Sequence, residues 1–116
     1  MEKNAELEIK KILVRIARIK KRLSAFDYLC SGTILKRLKK CGKPSCRCAK
    51  DPTALHGPYF EWGHMVEGKL VHRVVSPEQA AKLQMGIENY RKAKKLMLAW
   101  EKEAEKMISL EAPSKP

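Results

Sequence analysis

At 116 residues the chain has room for one small domain, or a compact head with helical extensions, and not for several domains. Its 44% hydrophobic content and only six Gly and six Pro exclude a disordered or fibrous chain, and no run approaches the ~20 apolar residues of a membrane span. The net charge of +12 is unevenly spread, with +4 over residues 1–29, +7 over 30–50, −1 over 51–76 and +2 over 77–116, so the excess is a patch.

Residues 1–30 are expected to form an N-terminal coiled-coil helix. From Ala5 the small and apolar positions Ile9, Ile12, Ile16, Ile19, Leu23, Phe26 and Cys30 alternate four and three apart. That spacing is a heptad seam, and it requires a partner helix. Leu13 widens the stripe, while Lys10, Lys11, Arg15, Arg18 and Lys20 lie on the other faces. Met1-Glu2-Lys3-Asn4 opens an amphipathic pattern and not a secretory leader, so the protein is expected to be cytoplasmic. Thiols stay reduced there, and clustered cysteines then favour metal over disulfides.

Residues 31–75 are expected to be the head. Ser31-Gly32 stops the first helix, and Thr33–Lys39 reads as a short strand leading into Cys41-Gly42-Lys43-Pro44-Ser45-Cys46-Arg47-Cys48. Residues 49–57 read as loop, broken by Asp51-Pro52 and Gly57-Pro58. Tyr59–Val66 and Lys69–Val75 are strand-like runs joined at Glu67-Gly68, a hairpin signal, which completes a three-stranded antiparallel meander.

Residues 76–111 are expected to be a C-terminal coiled-coil helix, followed by a flexible tail at 112–116. Ser76 suits the N-cap, Pro77 the first helical position, and Gln79 can reach back to close a capping box. A second seam runs through Leu83, Gly86, Tyr90, Ala93, Met97, Trp100, Ala104 and Met107. The fold class is therefore α+β: two long helices paired as an antiparallel coiled coil, carrying a β-meander with a cysteine knuckle. Leu13, Ile87 and Leu96 are expected to stay wet in an isolated pair, which favours a dimer.

Cys41, Cys46, Cys48 and His56 place three thiolates and an imidazole within 16 residues, the donor set of a tetrahedral Zn²⁺ site. The spacing departs from the usual pair of cysteines two apart. A reduced cysteine cluster in a packed loop, or a redox pair, remains open beside zinc. His56 is balanced between ligation and anchoring the Gly57-Pro58 turn. Cys30, at a seam position, reads as a small buried hydrophobe. His64 and His72, on facing strands, read as a surface pair.

Lys36, Arg37, Lys39, Lys40, Lys43, Arg47 and Lys50 form a run of cations uninterrupted by any acid. Such a run suits a nucleic-acid backbone, DNA or RNA, with an acidic protein or membrane surface and mere solubility as the other readings. Arg37 and Lys39 share a strand face, and Lys43 and Arg47 are expected to point outward. Tyr59 is the best candidate for stacking on a base, since Phe60 and Trp62 are needed for the head's core. No phosphate-cradling glycine loop, paired-carboxylate cleft or Ser/His/Asp set is present, so the reading is a binding protein and not an enzyme.

The knuckle, with Leu55-His56-Gly57-Pro58-Tyr59 and Glu88-Asn89-Tyr90-Arg91, resembles a family of small prokaryotic proteins of unknown function. In that family a Cys-Gly-Lys-x-x-Cys-Arg-Cys knuckle precedes His-Gly-Pro-Tyr, a hairpin and a helix bearing Asn-Tyr-Arg. The resemblance covers about residues 30–95, and Lys69-Leu70-Val71-His72-Arg73 replaces a more Thr-rich run. Some family members are associated with mobile elements. The resemblance carries no established activity; its mobile-element context, joined to the basic run, gives the expectation of a nucleic-acid-binding accessory to a recombinase or nuclease. The alternative is a coiled-coil adaptor that docks a larger protein partner, its zinc or cysteine head purely structural.

Overall fold

The computed structural model describes residues 2–111, so the expected tail at 112–116 lies outside the described residues. Helix α1 (Glu2–Ser24) is followed by strands β1 (Thr33–Lys39), β2 (His56–Val66) and β3 (Lys69–Val75), then helix α2 (Pro77–Ser109). The strands form one antiparallel sheet in the order β1-β2-β3. The architecture is α+β, as the patterning requires. No helix among the described residues is long and apolar enough to cross a membrane.

The chain divides into two compact units, one helical (Met1–Asp27 with Asn89–Pro116) and one built around the sheet (Tyr28–Glu88). In the helical unit Ile12, Ile16 and Ile19 of α1 and Ala93 and Leu96 of α2 are buried. The two helices meet in antiparallel order. Arg15 reaches Glu103 at 2.9 Å, and the Lys20 ammonium lies 5.3 Å from the centre of the Trp100 ring. The Arg15 guanidinium holds the Glu103 carboxyl below the usual carboxylate range.

Two seam expectations are corrected. Leu96 and Ile87, expected to stay wet, are 7% and 5% exposed, whereas Met97, placed on the seam, is 55% exposed. At 3.6 residues per turn the buried stripe drifts across a strict heptad frame, and Leu96 takes the inward place. Leu13 is exposed as expected.

Helix α1 ends at Ser24, six residues before the expected boundary at Cys30. The Ser24 hydroxyl donates to the Lys21 carbonyl, and the Ala25 and Phe26 amides donate three residues back, a tightening turn that closes the helix. Cys30 is thus not a helical seam residue. Its amide donates to the Gly86 carbonyl at 3.1 Å, and a Cβ at Gly86 would lie 2.5 Å from the Cys30 sulfur. Glycine at 86 lets this extended segment touch the helix backbone, a contact that outweighs the heptad pattern continuing through 26 and 30.

The sheet unit buries few large apolar side chains: Cys48, Val75, Ala80 and Ile87 are its core. Trp62 is half-buried, donates its indole N–H to the Ser31 carbonyl at 2.9 Å, and stacks on His64 with ring centres 3.5 Å apart. Glu67 and Gly68 both adopt positive φ, 49° and 81°, so the hairpin turn has the twist its strands need. The capping box at α2 forms in both directions: the Ser76 amide donates to Gln79 Oε1 at 3.0 Å, and the Gln79 amide to Ser76 Oγ at 3.1 Å.

Candidate metal centre and basic knuckle

The knuckle begins where β1 ends. Cys41-Gly42 turns the chain with Gly42 at φ 81°, and the Cys46 amide donates back to the Lys43 carbonyl. Arg47–Ala49 then forms a single 3-10 turn, and Pro52–Ala54 a second. The stretch 49–57, expected as loop, is therefore ordered for most of its length, and β2 starts at His56 instead of Tyr59. Asp51 organises this region. It caps the second turn by accepting from the Thr53 amide (2.9 Å) and hydroxyl (2.6 Å), and it receives the Arg47 guanidinium at 3.1 Å. The Thr53 hydroxyl and amide, aided by Arg47, lower the Asp51 pKa. Asp51-Pro52-Thr53 is an N-cap signature, so the sequence carried a signal for this organiser as well as for a break.

The β1–β2 register shifts between Arg37 and Lys39, and Lys39 then pairs with His56. A bulge of this kind re-aims the side chains beyond it. Here it brings His56 Nε2 to 3.1 Å from Cys46 Sγ. The Cys41 and Cys48 sulfurs are 3.5 Å apart, and the Cys41 amide points at Cys48 Sγ at 3.4 Å. Donor atoms from Cys41, Cys46, Cys48 and His56 all lie within 4.8 Å of one another. A tetrahedral Zn²⁺ with S and N donors would set those edges at roughly 3.5–3.8 Å. The four residues sit close together and could hold a metal ion, and among the described residues they are the one such Cys/His group.

The thiols are not equivalent. The Cys48 backbone amide, with the Cys48 and Cys41 side chains, lowers the Cys46 pKa. At Cys48, 1% exposed, the Cys41 amide pulls the pKa down, but burial and the neighbouring Cys46 and Cys41 sulfurs outweigh it and push it up. A cation among these sulfurs would favour their deprotonated forms. Cys30 lies apart from the group, beside Gly86.

The seven cations divide into two sets. Arg37 and Lys39 share a face, as alternation predicts, and both turn to Glu61 of β2 at 3.3 and 3.8 Å. Arg47 is 79% exposed yet bound to Asp51. Lys36, Lys40, Lys43 and Lys50 are exposed and make no ion pair among the described residues. Lys40 and Lys43 border a shallow cavity of about 260 Å³ that reaches Gly42 and Cys48. Tyr59 is 39% exposed and pairs across from Arg37.

Three residues differ from their sequence reading or escape it. His64 and His72 do not face one another: His64 pairs with Val71 and Gly63 with His72, so the imidazoles fall on opposite sheet faces. Glu61 was not singled out. Its signal is a lone acid in a strand of aromatic, aliphatic and histidine residues, directly across from a basic strand.

No curated protein and no solved structure matches the chain. The sequence profile of DUF6788, described as a domain of unknown function, matches residues 9–85. That span contains the Ile stripe of α1, the knuckle, the whole sheet and the start of α2. The chain therefore belongs to the DUF6788 family.

Proposed function

We propose that the chain is a small zinc-stapled nucleic-acid-binding module whose knuckle lysines grip the phosphate backbone. One observation carries the reading: Lys40 and Lys43 border the cavity that reaches Cys48, and with Lys36 and Lys50 they have no carboxylate partner among the described residues, while Glu61 and Asp51 are committed to Arg37, Lys39 and Arg47. Unpaired cations held on an ordered turn can each displace a condensed counterion from a phosphate. Zinc fits the three-sulfur, one-nitrogen donor set, and it would close a site without an open position, making it structural. It would also lock the turn that carries the lysines. The module is read as a binding protein and not an enzyme, acting in the cytoplasm as an accessory to a mobile-element recombinase or nuclease, the context its resemblance implies.

The test is titration of labelled duplex DNA at several salt concentrations. Replacing Lys40, Lys43 and Lys50 with Gln should weaken binding to unrelated sequences alike and reduce the slope of log affinity against log salt by about 2–3. Wild-type affinity and slope in a folded triple variant would remove the knuckle as the contact surface.

A second reading is an adaptor whose helices dock a larger protein or a second copy. It is favoured by apolar side chains left exposed in the helical unit, Leu7, Val14, Met97, Leu98 and Ile108 among them. A dimer in sedimentation equilibrium, with no nucleic-acid binding, would favour it.

A further inference from the structure

The register separates the sheet into two unlike faces. Phe60, Trp62, His64 and Val75 lie on one and are half-buried or buried. The other carries Tyr59, Glu61, Gly63 and Met65 of β2 with their cross-strand partners, and apart from Glu61 and Gly63 these residues are exposed. Apolar groups on this open face are uncovered: Val74 is 57% exposed, Met65 60% and Leu70 62%.

One ring lies close against the backbone of this face. A Cβ built on Gly63 would lie 3.0 Å from His72 Cε1 and 3.1 Å from Nδ1, so the imidazole lies down across the glycine. Any side chain at 63 would lift that ring. Glu61, the one acid among the residues paired on this face, is only 15% exposed and is covered by Arg37, Lys39 and His72, whose Nδ1 is 3.5 Å away. Its charge is thus offset by Arg37 and Lys39, and the His72 ring covers it from a third side. What remains presented is the Tyr59 ring, the His72 ring, aliphatic side chains between and beside them, and the half-exposed Arg37 and Lys39, two cations that share one carboxylate.

We infer that this open face is a stacking platform for single-stranded nucleic acid, supplementing the phosphate grip of the knuckle. The inference rests on the nucleic-acid reading above and adds the class of strand. Unstacked bases can cover exposed rings and aliphatic groups while their phosphates meet Arg37 and Lys39. A duplex keeps its bases stacked on one another and offers this face only phosphate and sugar. An acid free on the face would repel either ligand, and here the single acid is covered.

The test uses labelled single strands of oligo-dT and oligo-U about twelve nucleotides long, within the range of one small binding site. A duplex of the same length is titrated beside them. Wild type should bind the single strands more tightly than the duplex. Tyr59→Ala should weaken single-strand binding roughly tenfold and leave duplex binding unchanged, while Tyr59→Phe keeps wild-type affinity. Leu70→Glu, at a side chain 62% exposed, adds a free acid to the platform and should show the same selective loss. Duplex binding that depends on the knuckle lysines, with single strands bound no better and insensitive to both face variants, would overturn the platform and leave the proposed function standing. Absence of all nucleic-acid binding would overturn both. A Leu70→Glu variant that changes assembly state without changing oligonucleotide affinity would assign the face to a second copy and overturn the inference.

Discussion

The helical unit and the sheet unit solve the same problem with different means. In the first, Ile12, Ile16, Ile19, Ala93 and Leu96 bury a continuous apolar stripe, and one ion pair, Arg15–Glu103, crosses beside it. In the second, Cys48, Val75, Ala80 and Ile87 are nearly all the buried apolar matter, and cohesion comes from point contacts. These are the Gly86–Cys30 approach, the Trp62–Ser31 hydrogen bond, the Asp51 cap and the Cys₃His group. Helices need only a periodic stripe to pack, whereas a small sheet with one open face cannot cover enough area and requires staples. The proposed binding groups lie in the stapled unit, where the side chains are not all claimed by a core.

Metal removal should break this comparison most severely. With zinc bound, elemental analysis should give about one zinc per chain on a four-ligand site. Cys48→Ser, or a strong chelator, should melt the sheet unit while most far-UV helical signal persists, because structural zinc contributes on the order of ten kcal/mol to folding of a small head. Equal loss of both signals, or none, would show that the two units are not held by separate means.

Ile16→Asp attacks the other unit. Its side chain is 6% exposed, so a carboxylate there should cost about 3–5 kcal/mol or separate the helices. Circular dichroism and urea melts should show lost helix with zinc content unchanged. Unchanged stability would mean that the Ile stripe is not a packing surface.

The smallest effect concerns Glu103. Its pKa is lowered by Arg15, so the pair's contribution is present above the ordinary carboxylate value and disappears as pH falls through the lowered folded value. Stability of the helical unit should therefore decline below the normal carboxylate range, and Glu103→Gln should flatten that decline. A pH profile identical in the two proteins would show that the pair does not report on folding.

Much of this architecture follows from local pattern. The Ile spacing in α1, the Ser76-Pro77-Glu78-Gln79 cap and the Glu67-Gly68 turn are each decided within a few residues, and each forms as the pattern requires. The cysteine cluster was legible because its members are close in sequence and chemically alike. His56 was balanced between two roles, since its approach to Cys46 depends on a register shift in a strand pair seventeen residues apart in sequence at Lys39 and His56. The end of α1 was misplaced for a related reason. The heptad pattern continues to Cys30, and only the Gly86 carbonyl on a distant helix draws that residue's amide out of helical geometry.

Charge gives the clearest division between what sequence and tertiary structure decide. The seven Lys and Arg from 36 to 50, with no acid among them, make this part of the molecule electropositive whatever the fold, because the one adjoining acid, Asp51, cannot cancel seven charges. Which cations are free is a different matter. Antiparallel pairing sets Arg37 and Lys39 beside Glu61, more than twenty residues away in sequence, and the 3-10 turn sets Arg47 against Asp51, leaving Lys36, Lys40, Lys43 and Lys50 uncommitted. Net charge is a sum over residues and needs no coordinates, but neutralisation falls off over a few ångströms, and those distances exist only once the strands have paired.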